Sequence, residues 1–131
     1  MSGLKTITAL LALSATHAAA LPNDPTEQAQ MFAGCAGRYS AVAEHARMFD
    51  GLVSEEAEAR RDVFLILLDA VLPDADSVAE HLPLAWRIDA KAAHAALLST
   101  AVFGAYPERS ARADELAKTY IAHCDRLILP V

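Results

Sequence analysis

The chain has 131 residues, of which 54% are hydrophobic, and its 17 acidic and 11 basic side chains give a net charge of −6 at neutral pH. This length suits one small domain with a single core. Nucleic acid and anionic lipid surfaces bind clusters of Lys and Arg, and the chain contains no basic run, so its charge disfavours these partners.

The first twenty residues, MSGLKTITALLALSATHAAA, have the pattern of a secretory signal peptide. Lys5 supplies a positive charge, roughly ten apolar and hydroxyl residues follow, and Ala18 and Ala20 form an A-x-A cleavage site. The apolar stretch is shorter than the roughly 20 residues of a membrane span, so no stable membrane anchor is expected after cleavage. We predict a signal peptide over 1–20 and one periplasmic or secreted domain over 21–131.

A first helix is predicted from about residue 25 to 49. Asp24 followed by Pro25 is typical of a helix N-terminus, with a capping carboxylate and a proline at the first helical position. Asp50 and the glycine after it are expected to end the helix. An apolar stripe at steps of three and four runs along this helix: Phe32, Cys35, Tyr39, Val42, Ala46 and Phe49.

A second helix is predicted to start at Ser54 and to stop at Pro73. Its inner face is expected to comprise Ala57, Val63, Phe64, Leu67, Leu68 and Val71. Leu65, Ile66 and Leu72 lie off this stripe, so part of the helix is predicted to expose an apolar face for a protein partner. The alternative is that these three residues are ordinary surface apolar side chains.

A third helix is predicted over about 84–103 and a fourth from Pro107 to near Ile128, separated by short turns. The inner face of the fourth helix is expected to comprise Ala113, Leu116, Ala117, Tyr120, Cys124 and Leu127. Four helices joined by short turns predict an all-α fold, a small antiparallel four-helix bundle in which the first and last helices are neighbours.

Cys35 and Cys124 are the two cysteines of the chain, and each is a candidate catalytic thiol, metal ligand or disulfide partner. In an exported protein, two cysteines without C-x-x-C spacing most often form one structural disulfide. Both lie on predicted inward faces. We therefore predict a Cys35–Cys124 disulfide between the first and last helices.

Asp89 has the most unusual predicted surroundings of any charged side chain. It projects among alanines and Trp86, where a carboxylate would be desolvated unless it had a partner. Other polar side chains of this helix share a separate narrow strip: Arg87, Lys91 and His94. For Asp89 the alternatives are an ion pair with Arg38, exposure through a gap in the bundle, and a role in ligand binding.

His45 and His123 are further candidates for ligand chemistry. Met31 and Met48 lie on the same helix as His45, and imidazole with thioether suits copper in an exported protein. No repeated His or Met spacing supports a metal centre, so no metal site and no cofactor are predicted. The sequence also contains no haem-attachment motif, no G-x-S-x-G and no glycine-rich phosphate loop, so no catalytic residue is assigned.

The chain resembles, in general character only, the small exported helical proteins of Gram-negative bacteria, and that resemblance implies no activity. The sequence therefore predicts a non-catalytic binding or accessory protein of the bacterial envelope. The alternative prediction is a periplasmic carrier of a metal ion or small ligand that uses His45, Asp89 or His123.

Overall fold

The computed structural model describes residues 21–75 and 78–128, so the predicted signal peptide and its cleavage site lie outside the described residues. Within these ranges the protein is an all-helical bundle with four α-helices and no β-strand. The helices are α1 (Pro25–Ala46), α2 (Gly51–Val71), α3 (Leu82–Phe103) and α4 (Pro107–Ile128), with a 3₁₀ turn at Leu72–Asp74. The predicted all-α fold with four helices is confirmed.

The start of α1 is fixed by the cap that the sequence predicts. The Asp24 carboxylate accepts hydrogen bonds from the backbone amides of Thr26 and Glu27, at 2.7 and 3.0 Å. Pro25 occupies the first helical position, where a backbone N–H would have no partner within the helix. The helix therefore begins where predicted.

The junction between α1 and α2 differs from the prediction. α1 ends at Ala46, and Asp50, expected to end it, instead caps α2 by accepting hydrogen bonds from two amides in its first turn. Phe49 lies outside both helices and is 62% exposed, so its place on the inner stripe was wrong. Ser54, the predicted start of α2, is buried inside it and donates a hydrogen bond to the Ala43 carbonyl oxygen at 2.9 Å.

The core forms around α1, which packs against both α2 and α3, while α3 also packs against α4. Phe64 of α2 is completely buried, and its ring centroid lies 6.3 Å from that of Phe32 and 5.9 Å from that of Tyr39. Much of the remaining core is alanine: Ala29, Ala33, Ala36, Ala43 and Ala57. Because alanine buries little area, the core depends on a few large side chains and on close helix approach.

The three residues of α2 that were predicted to form an exposed apolar face differ in their burial. Leu65 and Leu72 are partly buried and pack against the core, whereas Ile66 is 68% exposed. Val63, which was assigned to the inner face, is exposed. Ile66 thus fits the predicted exposed face, whereas Leu65 and Leu72 contribute to the core, because the buried side of α2 is wider than the predicted stripe.

The orientation of α3 is the largest departure from the predicted pattern. His94 is the one buried residue of this helix, and Arg87 and Lys91 on the same strip are partly buried. Leu84 and Ile88, in contrast, are each 56% exposed. The polar strip of α3 thus faces α1, and much of its apolar surface faces outward.

Gly37→Ala is expected to destabilise the fold, whereas Gly34→Ala, one turn earlier in α1, is expected to stabilise it. A β-carbon at Gly37 would overlap the Arg87 carbonyl oxygen and lie 3.0 Å from the Lys91 amide nitrogen. Backbone atoms cannot rotate away, so α1 and α3 must separate at a cost of about 1 to 3 kcal/mol. A β-carbon at Gly34 meets nothing within 4 Å, and alanine in a helix interior gains about 0.5 to 1 kcal/mol.

Urea unfolding of the two alanine variants beside the wild type measures both effects. If Gly37→Ala were as stable as Gly34→Ala, the close crossing of α1 and α3 would be contradicted.

Candidate functional site

A cleft of about 410 Å³ lies between α1, α3 and α4. This volume falls at the lower end of the range typical of small-molecule sites. Three helices contribute to its wall: Gln30, Met31, Gly34, Cys35 and Arg38 from α1, Trp86, Asp89 and Ala90 from α3, and Tyr120, His123 and Cys124 from α4.

The Cys35–Cys124 pair forms part of this wall. The two Sγ atoms lie 2.03 Å apart and the two Cα atoms 5.7 Å apart, which is disulfide distance, and both side chains are buried. The predicted pairing is therefore found, and it links the two helices directly at the cleft.

Arg38 supplies a positive charge to the α1 side of the cleft. Its guanidinium carbon lies 3.7 Å from the centroid of the Tyr120 ring, a cation–π contact. Its Nη1 atom is buried without a hydrogen-bond partner, and no carboxylate in the described ranges forms an ion pair with it. Burial lowers the pKa of Arg38 below its usual range, but a guanidinium stays charged at neutral pH. The cation thus lacks a counter-ion in this part of the chain.

Asp89 lies on the α3 side of the same cleft, but it is exposed and forms no ion pair with Arg38 or with any other described cation. Of the alternatives for Asp89, the ion pair with Arg38 is not formed, and the exposed position is the one found. The reason is the orientation of α3: its polar strip faces α1, so the side that carries Asp89 is turned toward solvent.

Asp89→Asn is expected to leave the free energy of unfolding within about 0.5 kcal/mol of the wild type, because surface substitutions rarely have larger effects. Asp125→Asn is the matched control, since the partly buried Asp125 accepts hydrogen bonds from Tyr39 and Arg60. Loss of the charge in Asp125→Asn is expected to lower the free energy of unfolding by about 1 to 3 kcal/mol. Urea melts at pH 7 test both values, and a cost for Asp89→Asn equal to that of Asp125→Asn would contradict the exposure of Asp89.

The two candidate histidines lie in different places. His123 is exposed on the wall of the cleft, whereas His45 does not line it and packs against Phe49, with ring centroids 5.1 Å apart. In residues 21–75 and 78–128, no group of three or more His, Cys, Asp or Glu side chains is arranged to hold a metal ion. Three of the four predicted ligand or ion-pair residues therefore share the cleft: Arg38, Asp89 and His123.

His94 is the buried polar residue whose burial the sequence analysis missed. Its side chain is completely inaccessible, and neither ring nitrogen has a hydrogen-bond partner. Burial lowers the pKa of His94 from 6.5 to about 4, and the positive charge of Arg38 lowers it as well. The imidazole is therefore neutral at pH 7. No sequence motif marks this residue.

The chemistry available in the cleft suits binding. Its wall offers a cation, a carboxylate, an imidazole and the aromatic rings of Trp86 and Tyr120. Both cysteines of the wall are joined to each other, so neither supplies the thiolate that nucleophilic catalysis requires.

A scan against protein-family models and searches of curated proteins and solved structures found no match to the chain. Among the helices of the described residues, none has both the length and the apolar character of a membrane span. The cleft and the sequence are thus the basis for a functional proposal.

Proposed function

We propose that the protein is an exported, non-catalytic binding domain and that the cleft between α1, α3 and α4 is its binding site. The observation that carries this proposal is the shared position of Arg38 and Asp89, two opposite charges that line one cleft without pairing. Charged side chains beside the aromatic faces of Trp86 and Tyr120 provide both orientation and contact area for a small ligand.

Export is supported by the composition of residues 1–20 and by the Cys35–Cys124 pair, since disulfides persist in oxidising compartments. We propose that the mature protein begins at Leu21, forms one antiparallel four-helix domain over 21–131, and is periplasmic or secreted. Intact-mass measurement with and without alkylation, on protein from the cell envelope, tests this. A retained leader or two alkylatable thiols would contradict it.

Trp86 makes a direct test of binding available, because it is the single tryptophan of the chain and lines the cleft. Its fluorescence should change saturably when a ligand enters. We would titrate the purified protein with amino acids, organic acids, phosphates, sugars and polyamines, and with zinc and copper ions to test the alternative of a metal carrier. At least one of these classes is expected to give a saturable response.

The matched variants are Arg38→Gln in the cleft and Arg112→Gln on the exposed surface of α4. Arg38→Gln should weaken binding at least tenfold, whereas Arg112→Gln should bind as the wild type does. Near-ultraviolet circular dichroism checks that both variants are folded. A lack of response to every class would overturn the small-ligand proposal and leave the accessory role toward a protein partner as the alternative.

A further inference from the structure

The geometry points to a zwitterionic small molecule of the α-amino acid class as the ligand, with its carboxylate at Arg38 and its ammonium group at Asp89. This inference rests on the proposed function, since it assigns a chemical class to the same cleft.

The anionic end of the ligand is assigned by Arg38. Its guanidinium carbon lies 3.7 Å from the centroid of the Tyr120 ring, and both residues line the cleft. The N–H donors of a guanidinium lie along its edge in a fixed fork that matches a carboxylate. Because no described carboxylate forms an ion pair with the partly exposed Arg38, a ligand carboxylate bound at its guanidinium would add a counter-ion that the described chain does not provide.

The cationic end is assigned by Asp89. This carboxylate lines the same cleft, is exposed, and forms no ion pair with the described cations. A simple anion at Arg38 would be repelled by Asp89, and a simple cation at Asp89 would be repelled by Arg38. A molecule that carries both charges is attracted at both ends.

The remaining wall indicates the size and polarity of the rest of the molecule. Trp86 and Tyr120 provide aromatic surface and Met31 a thioether, so an apolar or aromatic side chain would be in contact with apolar groups. A volume of about 410 Å³ suits a small ligand. The net charge of −6 further disfavours polyanions such as nucleotides.

The test uses Trp86 fluorescence, excited where phenylalanine does not absorb, with L-leucine, L-methionine and L-phenylalanine as probes. Each is compared with its N-acetyl derivative, which has no ammonium group, and with its carboxamide, which has no carboxylate. At least one free amino acid is expected to bind, and either modification should weaken its binding at least tenfold.

Two variants test which residue binds the ammonium group of the ligand and which binds its carboxylate. Asp89→Asn should remove the preference for the free amino acid over its N-acetyl derivative, while Asp69→Asn, an exposed acidic residue of α2 outside the cleft, should keep it. Arg38→Gln should remove the preference over the carboxamide, while Arg112→Gln should keep it.

The outcomes separate this inference from the proposed function. Equal binding of a free amino acid and its N-acetyl derivative would show a plain anion site and overturn the zwitterion assignment. A response to another ligand class alone would also overturn it, while the proposed binding function would stand. No response to any class would overturn both.

Discussion

Replacement of both cysteines, Cys35→Ala with Cys124→Ala, is expected to lower the free energy of unfolding by about 4 to 5 kcal/mol. The disulfide closes a loop with a sequence separation of 89 residues, and the loss of chain entropy in the unfolded state grows with loop length. A small domain is stable by only about 5 to 15 kcal/mol, so the variant should be close to unfolding at ordinary temperature. Urea unfolding under non-reducing conditions measures the difference.

Wild-type protein in excess reductant is the natural control for the cysteine variant, because it loses the bond and keeps the side chains. The two should unfold at similar urea concentrations. A loss below about 1 kcal/mol in both would mean that other contacts already hold α4 in place.

Acidification from pH 7.5 to pH 4 is expected to cost the wild type about 3 kcal/mol more than it costs His94→Leu. Burial lowers the pKa of His94 from 6.5 to about 4, with the charge of Arg38 as a second cause. Between these values the unfolded chain binds a proton that the folded protein excludes. The contribution of neutral His94 to the free energy of unfolding is thus complete above pH 6.5 and is lost as the pH falls toward 4. The difference between the unfolded and folded pKa values corresponds to about 3 kcal/mol at 1.36 kcal/mol per pKa unit.

Urea unfolding at several pH values tests this for the wild type, for His94→Leu and for His81→Leu, whose histidine is exposed at the start of α3. Carboxylate titration contributes to the pH dependence of stability in all three proteins. Only the difference between the stability curves of the wild type and His94→Leu therefore reports on His94. At neutral pH, His94→Leu should be at least as stable as the wild type, because it removes two buried nitrogens without partners. Parallel curves for the wild type and His94→Leu would contradict the burial.

Local signals allowed much of the fold to be predicted from the sequence. Asp24 and Pro25 specify the start of α1 through backbone chemistry that does not depend on the rest of the chain. The Cys35–Cys124 pairing was also accessible, since the chain has two cysteines and both lie on inward faces. Asp50 was recognised as a boundary, but a residue of this type can follow one helix or cap the next.

The orientation of α3 could not be predicted because the burial or exposure of an alanine side chain changes the free energy of folding only a little. A helix rich in alanine has no clear apolar stripe, so its rotation is decided by the surface it packs against. Here that surface is Gly37 of α1, which admits the backbone at Arg87 and Lys91 and thereby turns His94 inward and Asp89 outward. The sequence indicated Arg38, Asp89 and His123 as candidates, but their meeting in one cleft depends on this crossing.

The place of the disulfide in the cleft wall has a consequence for the time at which the protein becomes competent to bind. α1 carries Arg38 and α4 carries Tyr120 and His123, and the bond joins these two helices covalently at the cleft. Under the proposed export, a chain that is synthesised reduced would gain this covalent link only after it reaches an oxidising compartment. We would then expect the precursor to bind little ligand before export, and the mature protein to bind it after the bond has formed.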